Sequence, residues 1–415
     1  GDLVSVRGLR YGSDEMPSFS TSGNDITLDF GDNDKLIFEG AGASTAIGVS
    51  LQSGRNNNFV FQKDSYIYNN KGITFGAGYS LAYTAGESIA TINAAAVTRA
   101  INITGNSLDN YIIGTTSTAG GTMSGGAGND RLDVSERSGA STAKFVFGYS
   151  DGKDSIIGFD ETRDLLSIGS VSEITNAKAG SNKLAFTFGD KSKVLTFRSD
   201  DDISYISLQG GGGSYLTKNG YVQGGQSLDL FASARGTIDL TATPYNASNI
   251  TTVDATKAKN QKITLVGGAS GGDFTFAANR KKDMFEYGGG SVTIAGYETG
   301  RDRINLGELE IGGFSMAGAS LILDVGSSKF EIGGASRKEV LIHSADSKRN
   351  AYTKVVFWDN GVLLNKEKRA TTATIQSGVA STGFEATGTG LSTLKKIYVT
   401  SGVSGVGITA GNVKT

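Results

Sequence analysis

The sequence predicts an all-β protein made of tandem repeats: β-roll or β-solenoid-like modules, β-sandwich-like modules and hairpins. Its 415 residues contain 60 glycines and only 2 prolines, which favours many tight turns and argues against collagen-like or proline-rich disordered chains. Short apolar segments alternate with polar residues at a period of two, the spacing of strands. Helical periodicity is lacking, and the nearest approach to it is the short string AAAVTRA at 94–100.

Charge and cysteine content exclude several classes of function. Lys and Arg total 39 against 41 Asp and Glu, a net charge of −2, so the chain lacks the basic field that holds nucleic acid. The absence of cysteine excludes disulfides, thiolate metal sites and cysteine nucleophiles, and it favours a bacterial exported protein. Apolar runs are too short to cross a membrane as a helix. The first residues carry no signal-peptide segment, and because the chain begins with Gly1 we expect a processed or excised piece.

Internal repeats account for most of the chain. An aromatic strand, a short loop, an apolar strand and an acidic turn recur at 144–169, 284–307 and 24–40. Each copy closes with a predicted hairpin: SYIYNNKGITF, SYLTKNGYVQ or KVVFWDNGVLL. Two of these contain Asn-Gly, which is preferred in type I′ turns. The turn glycines Gly72, Gly220 and Gly361 are spaced by roughly 145 residues, which indicates tandem copies of one unit.

The repeats divide the chain into four predicted segments. The strings IATINAAAVTRAINITGN, ITTVDATKAKNQKITLVGG and LKKIYVTSGVSGVGITAGN open successive copies. The chain is therefore expected to begin inside one copy and to stop inside another. The predicted segments are a partial copy at 1–86, a copy with a glycine-aspartate turn at 87–226, a degenerate copy at 227–367 and the start of a further copy at 368–415.

One turn has the residues of a calcium-binding loop. The string GGAGNDRLD at 125–133 fits the nonapeptide G-G-x-G-x-D-x-U-x, in which a six-residue turn precedes a short strand with an inward apolar residue. Gly126 and Gly128 let the backbone carbonyl groups turn toward a hard cation, and Asp130 supplies the carboxylate that Ca²⁺ prefers. The alternative for Asp130 is a hydrogen-bonded turn aspartate, since Asp is favoured in turns in any case.

Further candidate ligands lie in the neighbouring turns. The upstream string GNSLDNYII places Asn110 in the aspartate position, and Asp154 in the following loop is another candidate. The turn between them on the opposite side, TSTAGGTMS, has Gly121 where an aspartate would be. We therefore expect a metal site on one side of the stacked turns, formed by Asp130, Gly126, Gly128, Asn110 and Asp154.

These residues resemble the RTX family, the hemolysin-type calcium-binding repeat proteins. The nonapeptide followed by FVFGYSDGKDSIIGFDETRDLLSIG is similar to the end of an RTX β-roll and its capping strands, specifically over 101–169 and more loosely over 250–345. The resemblance implies type I secretion, Ca²⁺ binding outside the cell and a role as toxin, exoenzyme, adhesin or surface-layer protein. The chain departs from the family in having a single good nonapeptide, and its third copy, GGASGGDFTF, keeps only Asp273. We therefore expect one or a few calcium ions.

The sequence lacks a catalytic constellation, so we expect a protein that is not an enzyme. The string GASGG at 268–272 fits the nucleophile elbow G-x-S-x-G, but its flanks are not strand then helix, and the one histidine, His343, lies in a strand-like segment. A single histidine also excludes the zinc motif H-E-x-x-H. The aspartates at 200–202 are typical of a solvated turn. Aromatic residues alternate on strands and so belong to a core, and Trp358 is the one that we expect to be an exposed contact.

The two ends of the chain are complementary in sequence. The C-terminal VGITAGNVKT stops where other copies continue into a glycine-aspartate turn, and the N-terminal GDLVSV resembles the stretch after that turn at 272–276. The leading hypothesis is therefore a structural subunit of an extracellular filament or surface layer that polymerises head to tail with the support of Ca²⁺. The residues predicted to meet are Gly1, Asp2, Leu3, Gly411, Asn412 and Thr415.

Two alternatives remain open from the sequence. In one, the repeats form the stalk of an RTX adhesin that binds a cell surface or a glycan. In the other, they form the secretion region of an exoenzyme. All three hypotheses place the protein outside the cell or on its surface. The expected partners are copies of the chain itself, with a cell-surface polysaccharide as a further candidate, while nucleic acid and a membrane span are not expected.

Overall fold

The chain is nearly all β, as the sequence predicts. In a computed structural model, 49% of the residues lie in strands and 2% in helices, and the strands form a β-solenoid of about ten turns. The predicted fold class is therefore confirmed. The described part of the chain contains no helix long and apolar enough to cross a membrane.

The structure describes most of 71–344 and separate strands on either side of it. Side chains are described mainly within 20–40 and 65–352, and the flanking strands are described by their backbones. The described residues are 3–7, 18–29, 35–40, 47–53, 55–62, 65–68, 71–79, 82–116, 120–138, 141–148, 151–189, 192–247, 249–258, 262–267, 274–278, 282–336, 338–344, 352–358, 362–365, 372–375, 384–385, 396–399 and 408–409.

The chain forms two compact units, Gly1–Gly211 and Gly212–Thr415. The four segments predicted from the repeats describe sequence copies and remain a prediction. The strands of the first unit are β1 Leu3–Arg7, β2 Ser18–Ser22, β3 Asp25–Asp29, β4 Lys35–Phe38, β5 Ile47–Ser53, β6 Arg55–Gln62, β7 Ser65–Tyr68, β8 Gly72–Phe75, β9 Tyr83–Thr84, β10 Thr91–Asn93, β11 Ile101–Thr104, β12 Tyr111–Ile113, β13 Gly121–Ser124, β14 Arg131–Asp133, β15 Ala143–Phe147, β16 Lys153–Ile157, β17 Leu165–Ile168, β18 Ile174–Gly180, β19 Lys183–Phe188, β20 Lys193–Arg198 and β21 Tyr205–Ser207, with a 3-10 turn at Val171–Glu173.

The second unit has the same kinds of element. Its strands are β22 Tyr215–Thr217, β23 Gly220–Gln223, β24 Ser227–Leu230, β25 Gly236–Asp239, β26 Thr252–Asp254, β27 Ile263–Val266, β28 Phe274–Ala277, β29 Met284–Glu286, β30 Val292–Ala295, β31 Arg303–Asn305, β32 Ile311–Ala317, β33 Ser320–Val325, β34 Ser328–Ile332, β35 Glu339–His343, β36 Thr353–Trp358, β37 Val362–Asn365, β38 Thr372–Ile375, β39 Phe384–Glu385, β40 Lys396–Val399 and β41 Ile408–Thr409, with a 3-10 turn at Tyr245–Ala247.

Two walls of parallel strands enclose the core of the first unit. The front wall has the order β8, β10, β12, β14, β16, β20, and the back wall has the order β9, β11, β13, β15, β17. The chain alternates between the walls, so each coil adds one short strand to each. Inward side chains therefore stack in columns, such as Ile92, Ile112 and Leu132 in the front wall, which are all at most 2% exposed. Such burial of apolar surface is the main favourable term in folding.

The second unit repeats this architecture. Parallel strands β24, β26, β28, β30 and β34 form one wall, and β25, β27, β29, β31 and β35 form the other. In the first of these walls, Val253, Phe276 and Ile294 stack in register and are almost fully buried. The alternation of apolar and polar residues that predicts strands thus decides which side chains face the space between the walls.

Both solenoids are interrupted at the same place by an antiparallel hairpin. In the first unit β18 and β19 precede β20, and in the second β32 and β33 precede β34. Phe186 on β19 and Phe197 on β20 are fully buried and contact each other edge to face. The repeated strings at 144–169 and 284–307 therefore correspond to the same three coil strands and lead into the same hairpin.

Other repeat predictions are confirmed or corrected by the strand pairs. The three predicted hairpins are antiparallel pairs, namely β7 with β8, β22 with β23, and β36 with β37. The segment 24–40 differs from the two copies that it resembles, because β2, β3 and β4 form a separate antiparallel sheet. Because β3 runs antiparallel to both β2 and β4, these strands do not continue a wall of parallel coil strands.

A buried ion pair joins two successive turns of the first unit. Arg137 donates to Asp164 through both ends of its guanidinium group, at 2.5 and 2.6 Å, and it also donates to the carbonyl oxygen of Gly158 at 3.1 Å. The side chains of Arg137 and Asp164 are 6% and 0% exposed. Such a bidentate pair satisfies both charges, but removing one partner leaves the other buried and uncompensated.

We expect Arg137→Met to destabilise the first unit by about 3–5 kcal/mol, because Asp164 would lose its counter-charge in a buried position. Denaturant unfolding of the intact chain measures this loss. The matched control is Arg301→Met, which removes an arginine that is 60% exposed and paired with Glu298, and which we expect to cost at most about 1 kcal/mol. Equal losses in the two variants would contradict a structural role for the buried pair.

Candidate metal centre

The turns that lead from the back wall to the front wall stack along one side of the first unit. We call this side the first edge; it contains the turns 85–90, 105–110 and 125–130 and, from the next connection, Gly148 and residues 151–152. The strands that follow these turns pair in parallel without a shift. Asn110, Asp130 and Asp154 therefore occupy the same position on successive coils, immediately before or at the start of a front-wall strand.

These three side chains connect the coils through backbone hydrogen bonds. The N–H of Asn110 donates to Asp130 Oδ1 at 2.7 Å, and the N–H of Asp130 donates to Asp154 Oδ1 at 3.0 Å. All three residues are at most 3% exposed. The predicted ligands Asn110, Asp130 and Asp154 are thus brought together along the first edge, as a ladder in which each carboxylate binds the coil before it.

Equivalent residues elsewhere also close their own turns. An oxygen of Asn110 accepts the N–H of Asn106 at 2.8 Å. In the same way Asp164 accepts the N–H of Asp160 at 2.9 Å, and Asp302 accepts that of Glu298 at 2.8 Å. In each case the donor is the residue four positions earlier, so one side chain both ends its turn and faces the neighbouring coil.

Asp130 departs from this pattern. Its Oδ2 atom is buried and, in the described part of the chain, is the one buried side-chain oxygen or nitrogen without a hydrogen-bond partner. Leaving a buried carboxylate oxygen unpaired is costly, and native proteins place partners or ions at such atoms. This atom belongs to the turn that the nonapeptide motif identifies.

Glycines make room for this oxygen. A Cβ atom on Gly125 would lie 2.1 Å from Asp130 Oδ2, which no real side chain tolerates. Gly126 and Gly128 have φ angles of +89° and +118°, a backbone conformation that L side chains rarely adopt. The predicted roles of Gly126 and Gly128 in curling the turn therefore agree with the backbone geometry.

Two buried aspartates of the first edge have raised pKa values. Burial, together with the charges of Asp151 and Asp109, raises the pKa of Asp130 to about 7 against the opposing effect of the Asn110 N–H. Burial likewise raises the pKa of Asp154 to about 7, and the neighbouring aspartates add to the rise. A divalent cation at Asp130 Oδ2 would favour the charged form of these carboxylates.

The residues present fit a hard cation with oxygen ligands. Asp130 Oδ2 is buried and unpaired, Asp154 lies on the next coil, and carbonyl groups of the glycine turn would supply further oxygens of the type that Ca²⁺ prefers. Among the described residues, no group of three or more His, Asp or Glu converges on a point. A calcium ion would therefore be held mainly by carbonyl oxygens together with Asp130 and Asp154.

The side chain of Asn110 is already engaged. Its oxygen accepts from Asn106, and its amide Nδ2 donates to the carbonyl oxygen of Ile89 at 2.9 Å. Sequence reasoning missed Asn106 and also Asp151, which is buried and accepts the N–H of Gly148 at 2.5 Å. The sequence signal that could have identified Asn106 is its position directly after Gly105, the first glycine of the turn.

Other candidate sites are structural or lie outside the described residues. Asp202 accepts the N–H of Asn182 at 2.8 Å in a turn. The ring of His343 on β35 lies 5.9 Å from that of Tyr352. The string GASGG at 268–272 and the side chain of Trp358 lie outside what the structure describes. Among the predicted assembly residues, Gly1, Asp2, Gly411, Asn412 and Thr415 also lie outside it, and Leu3 is described by its backbone in β1.

Comparison with known proteins adds little. The chain matches no family model and no curated protein. Among solved structures it has a likeness to the extracellular lipase LipA from Serratia marcescens, at 16% identity over 56% of this chain. The match covers 37% of the lipase, little more than a third of its length, with a TM-score of 0.14. So poor a superposition carries no argument about fold or function.

We expect Asp130→Asn to abolish stabilisation by Ca²⁺. When free Ca²⁺ exceeds its Kd by about 100-fold, a single site raises the free energy of unfolding by about 2.7 kcal/mol. Asparagine is nearly isosteric but lacks the charge and the second acceptor oxygen. Thermal unfolding of the intact chain in EGTA and in millimolar Ca²⁺ measures the gain in wild type and its loss in the variant.

The matched control for Asp130→Asn is Asp109→Asn. It removes one carboxylate from the same edge, but the Asp109 side chain is exposed and accepts the N–H of Asn129 at 2.7 Å. We expect this variant to keep the gain from Ca²⁺. A gain that is the same in wild type and in Asp130→Asn would remove the site.

A second buried aspartate, Asp302, is expected to make the stability of the fold depend on pH. Burial, together with the charges of Asp283 and Glu298, raises the pKa of Asp302 from 3.8 to about 7 against the opposing effect of the N–H groups of the same two residues. The folded state therefore holds this proton more tightly than the unfolded chain. Stability from this group is fully present below pH 4 and is lost as the pH rises through about 7.

We expect Asp302→Asn, which imitates the neutral carboxyl group, to flatten the fall in stability between about pH 4 and 7. The difference from wild type is at most about 4 kcal/mol, from about 1.4 kcal/mol per pKa unit. Denaturant unfolding across this range measures it. Asp324→Asn, in a side chain that is 40% exposed, is the control and should leave the slope unchanged; a wild-type slope in Asp302→Asn would refute the assignment.

Proposed function

We propose that the chain is a non-enzymatic structural subunit of an extracellular bacterial assembly, a filament or surface layer, supported by Ca²⁺. The observation that carries the proposal is that buried polar side chains form hydrogen bonds between successive coils. The ladders at Asp130, Asp164 and Asp302 connect one coil to the next. A protein whose interior chemistry serves coil stacking is suited to a mechanical and architectural role.

Calcium binding at the turn 125–130 would support an extracellular setting. A site with one unpaired carboxylate and carbonyl ligands has few charges, and calcium sites of low charge bind in the range of about 10⁻⁴ to 10⁻³ M that is typical of extracellular modules. Such a site would be filled outside a cell and empty in the cytosol. The absence of cysteine is compatible with this setting, because stability then depends on packing and the ion.

Strand edges provide the means of assembly. Several strands end a sheet order in the described part of the chain, among them β1 and β18 in the first unit and β32 and β40 in the second. Edge strands carry backbone donors and acceptors that another chain can pair with. The partner that we propose is a second copy of this chain, joined head to tail through Gly1, Asp2 and Leu3 on one copy and Gly411, Asn412 and Thr415 on the next.

The C-terminal strands favour this head-to-tail mode. β40 pairs in parallel with β38, as β26 pairs with β24, and β39 pairs in parallel with β41. Parallel pairing is the pattern of the solenoid walls, so these strands are arranged as the start of a further coil. A wall of parallel strands extends by adding another strand to its open edge.

The test is assembly of the intact chain. We expect light scattering to show growth beyond the monomer at high protein concentration in millimolar Ca²⁺, and electron microscopy to show filaments or sheets. EGTA should reverse the growth, and Asp130→Asn should reduce it. A chain that stays monomeric in Ca²⁺ at high concentration would refute the assembly role.

A further inference from the structure

The junction between the turns 85–90 and 105–110 is closed by amide groups. The Nδ2 atom of Asn106 donates to the carbonyl oxygens of Gly86 and Ile89, at 2.7 Å each. The Nδ2 atom of Asn110 donates to the same Ile89 oxygen at 2.9 Å. Two neutral side chains of one turn thus bind two carbonyl groups of the turn before it.

The next junction, between the turns 105–110 and 125–130, has the same layout but different chemistry. The strands after these turns are in register with a spacing of 20 residues, so Gly126 stands in the position of Asn106, and Asp130 in that of Asn110. A Cβ atom on Gly126 would lie 2.4 Å from the carbonyl oxygen of Asn106. A glycine and a carboxylate therefore face this turn where the earlier junction has two amides.

The two junctions differ in what they lack. At the first, the amide N–H groups of two neutral side chains point at carbonyl oxygens. At the second, Asp130 Oδ1 accepts the N–H of Asn110, but the buried Oδ2 atom beside Gly125 has no donor, and Gly126 offers no side chain. Oxygen atoms that lack N–H partners in a buried turn are what a cation coordinates, and an amide N–H supplies part of the same electrostatic stabilisation without an ion.

We propose that the amide groups of Asn106 and Asn110 take the place of a cation at the first junction, so that these two residues decide that no ion binds there. The inference rests on the calcium site of the proposed function but concerns a different junction. According to this proposal, the residue types at positions 106 and 110 determine whether the first edge binds a further ion. A turn carrying glycine and aspartate at these positions would bind Ca²⁺, whereas a turn with two asparagines closes without it.

The test is the double variant Asn106→Gly/Asn110→Asp, which gives the turn 105–110 the residue types of the turn 125–130 at both positions. Equilibrium dialysis against Ca²⁺ counts the ions bound per chain, and thermal unfolding is followed in EGTA and in millimolar Ca²⁺. We expect the variant to bind one more ion than wild type. Its melting temperature should fall in EGTA and recover in Ca²⁺. An unchanged ion count would overturn the proposal.

A single variant decides the question if the double variant does not fold. Asn110→Asp keeps the amide of Asn106 on Gly86 and places a carboxylate against the Ile89 carbonyl oxygen, so its melting temperature should drop in EGTA and rise again in Ca²⁺. An equal drop in both solutions would overturn the proposal. Asn102→Asp, on an exposed position of β11, adds the same charge on the same coil and should respond alike in EGTA and Ca²⁺.

The outcome is separable from that of the proposed function. All measurements are made at low concentration, where assembly plays no part. Wild type that binds no Ca²⁺ would remove the calcium support of the proposed function, while an ion gained by the double variant would still support the inference. Wild type that binds Ca²⁺, with no further ion in the double variant, would leave the function standing and overturn the inference.

Discussion

The backbone hydrogen bond that a buried side chain accepts at the end of each turn connects the coils of this protein. Asp130 accepts the N–H of Asn110, Asp164 that of Ala143, and Asp302 that of Asp283. In each pair the donor is one coil before the acceptor and in register with it. Because the bond forms where a turn enters a strand, it fixes the register of the wall, and a one-residue slip would turn every inward side chain outward. The apolar columns between the walls depend on it.

Burying several ionised carboxylates is energetically costly. The residues of the ladders offset this cost in different ways. Asp164 is neutralised by Arg137 across two hydrogen bonds. The pKa of Asp302 is raised to about 7, mainly by burial, so the folded state favours the neutral, protonated form of this carboxyl group. At Asn110 the charge is absent, and an amide donates to a carbonyl group. Asp130 alone of these four has an oxygen without a partner, and this singles out its turn as the place for an ion.

This arrangement relates architecture to function through the same groups. Parallel walls satisfy their backbone groups by stacking, so an open wall edge can accept another strand of the same kind. The proposed calcium ion would add to the connection between coils, and the proposed assembly would extend that stacking from one molecule to the next. Stability and polymerisation would then both depend on the chemistry that holds one turn against another.

The sequence by itself determined the local features. Glycine content, strand alternation, the Asn-Gly hairpin at Gly220 and the turn at 125–130 follow from φ preferences and side-chain periodicity within a few neighbouring residues. Only the tertiary structure decided which turns meet, because residues 17 or more positions apart come into contact through coil register. The amides of Asn106 on Gly86 and Ile89 and the pairing of Arg137 with Asp164 are of this kind. Their partners depend on long-range packing, which no local pattern specifies.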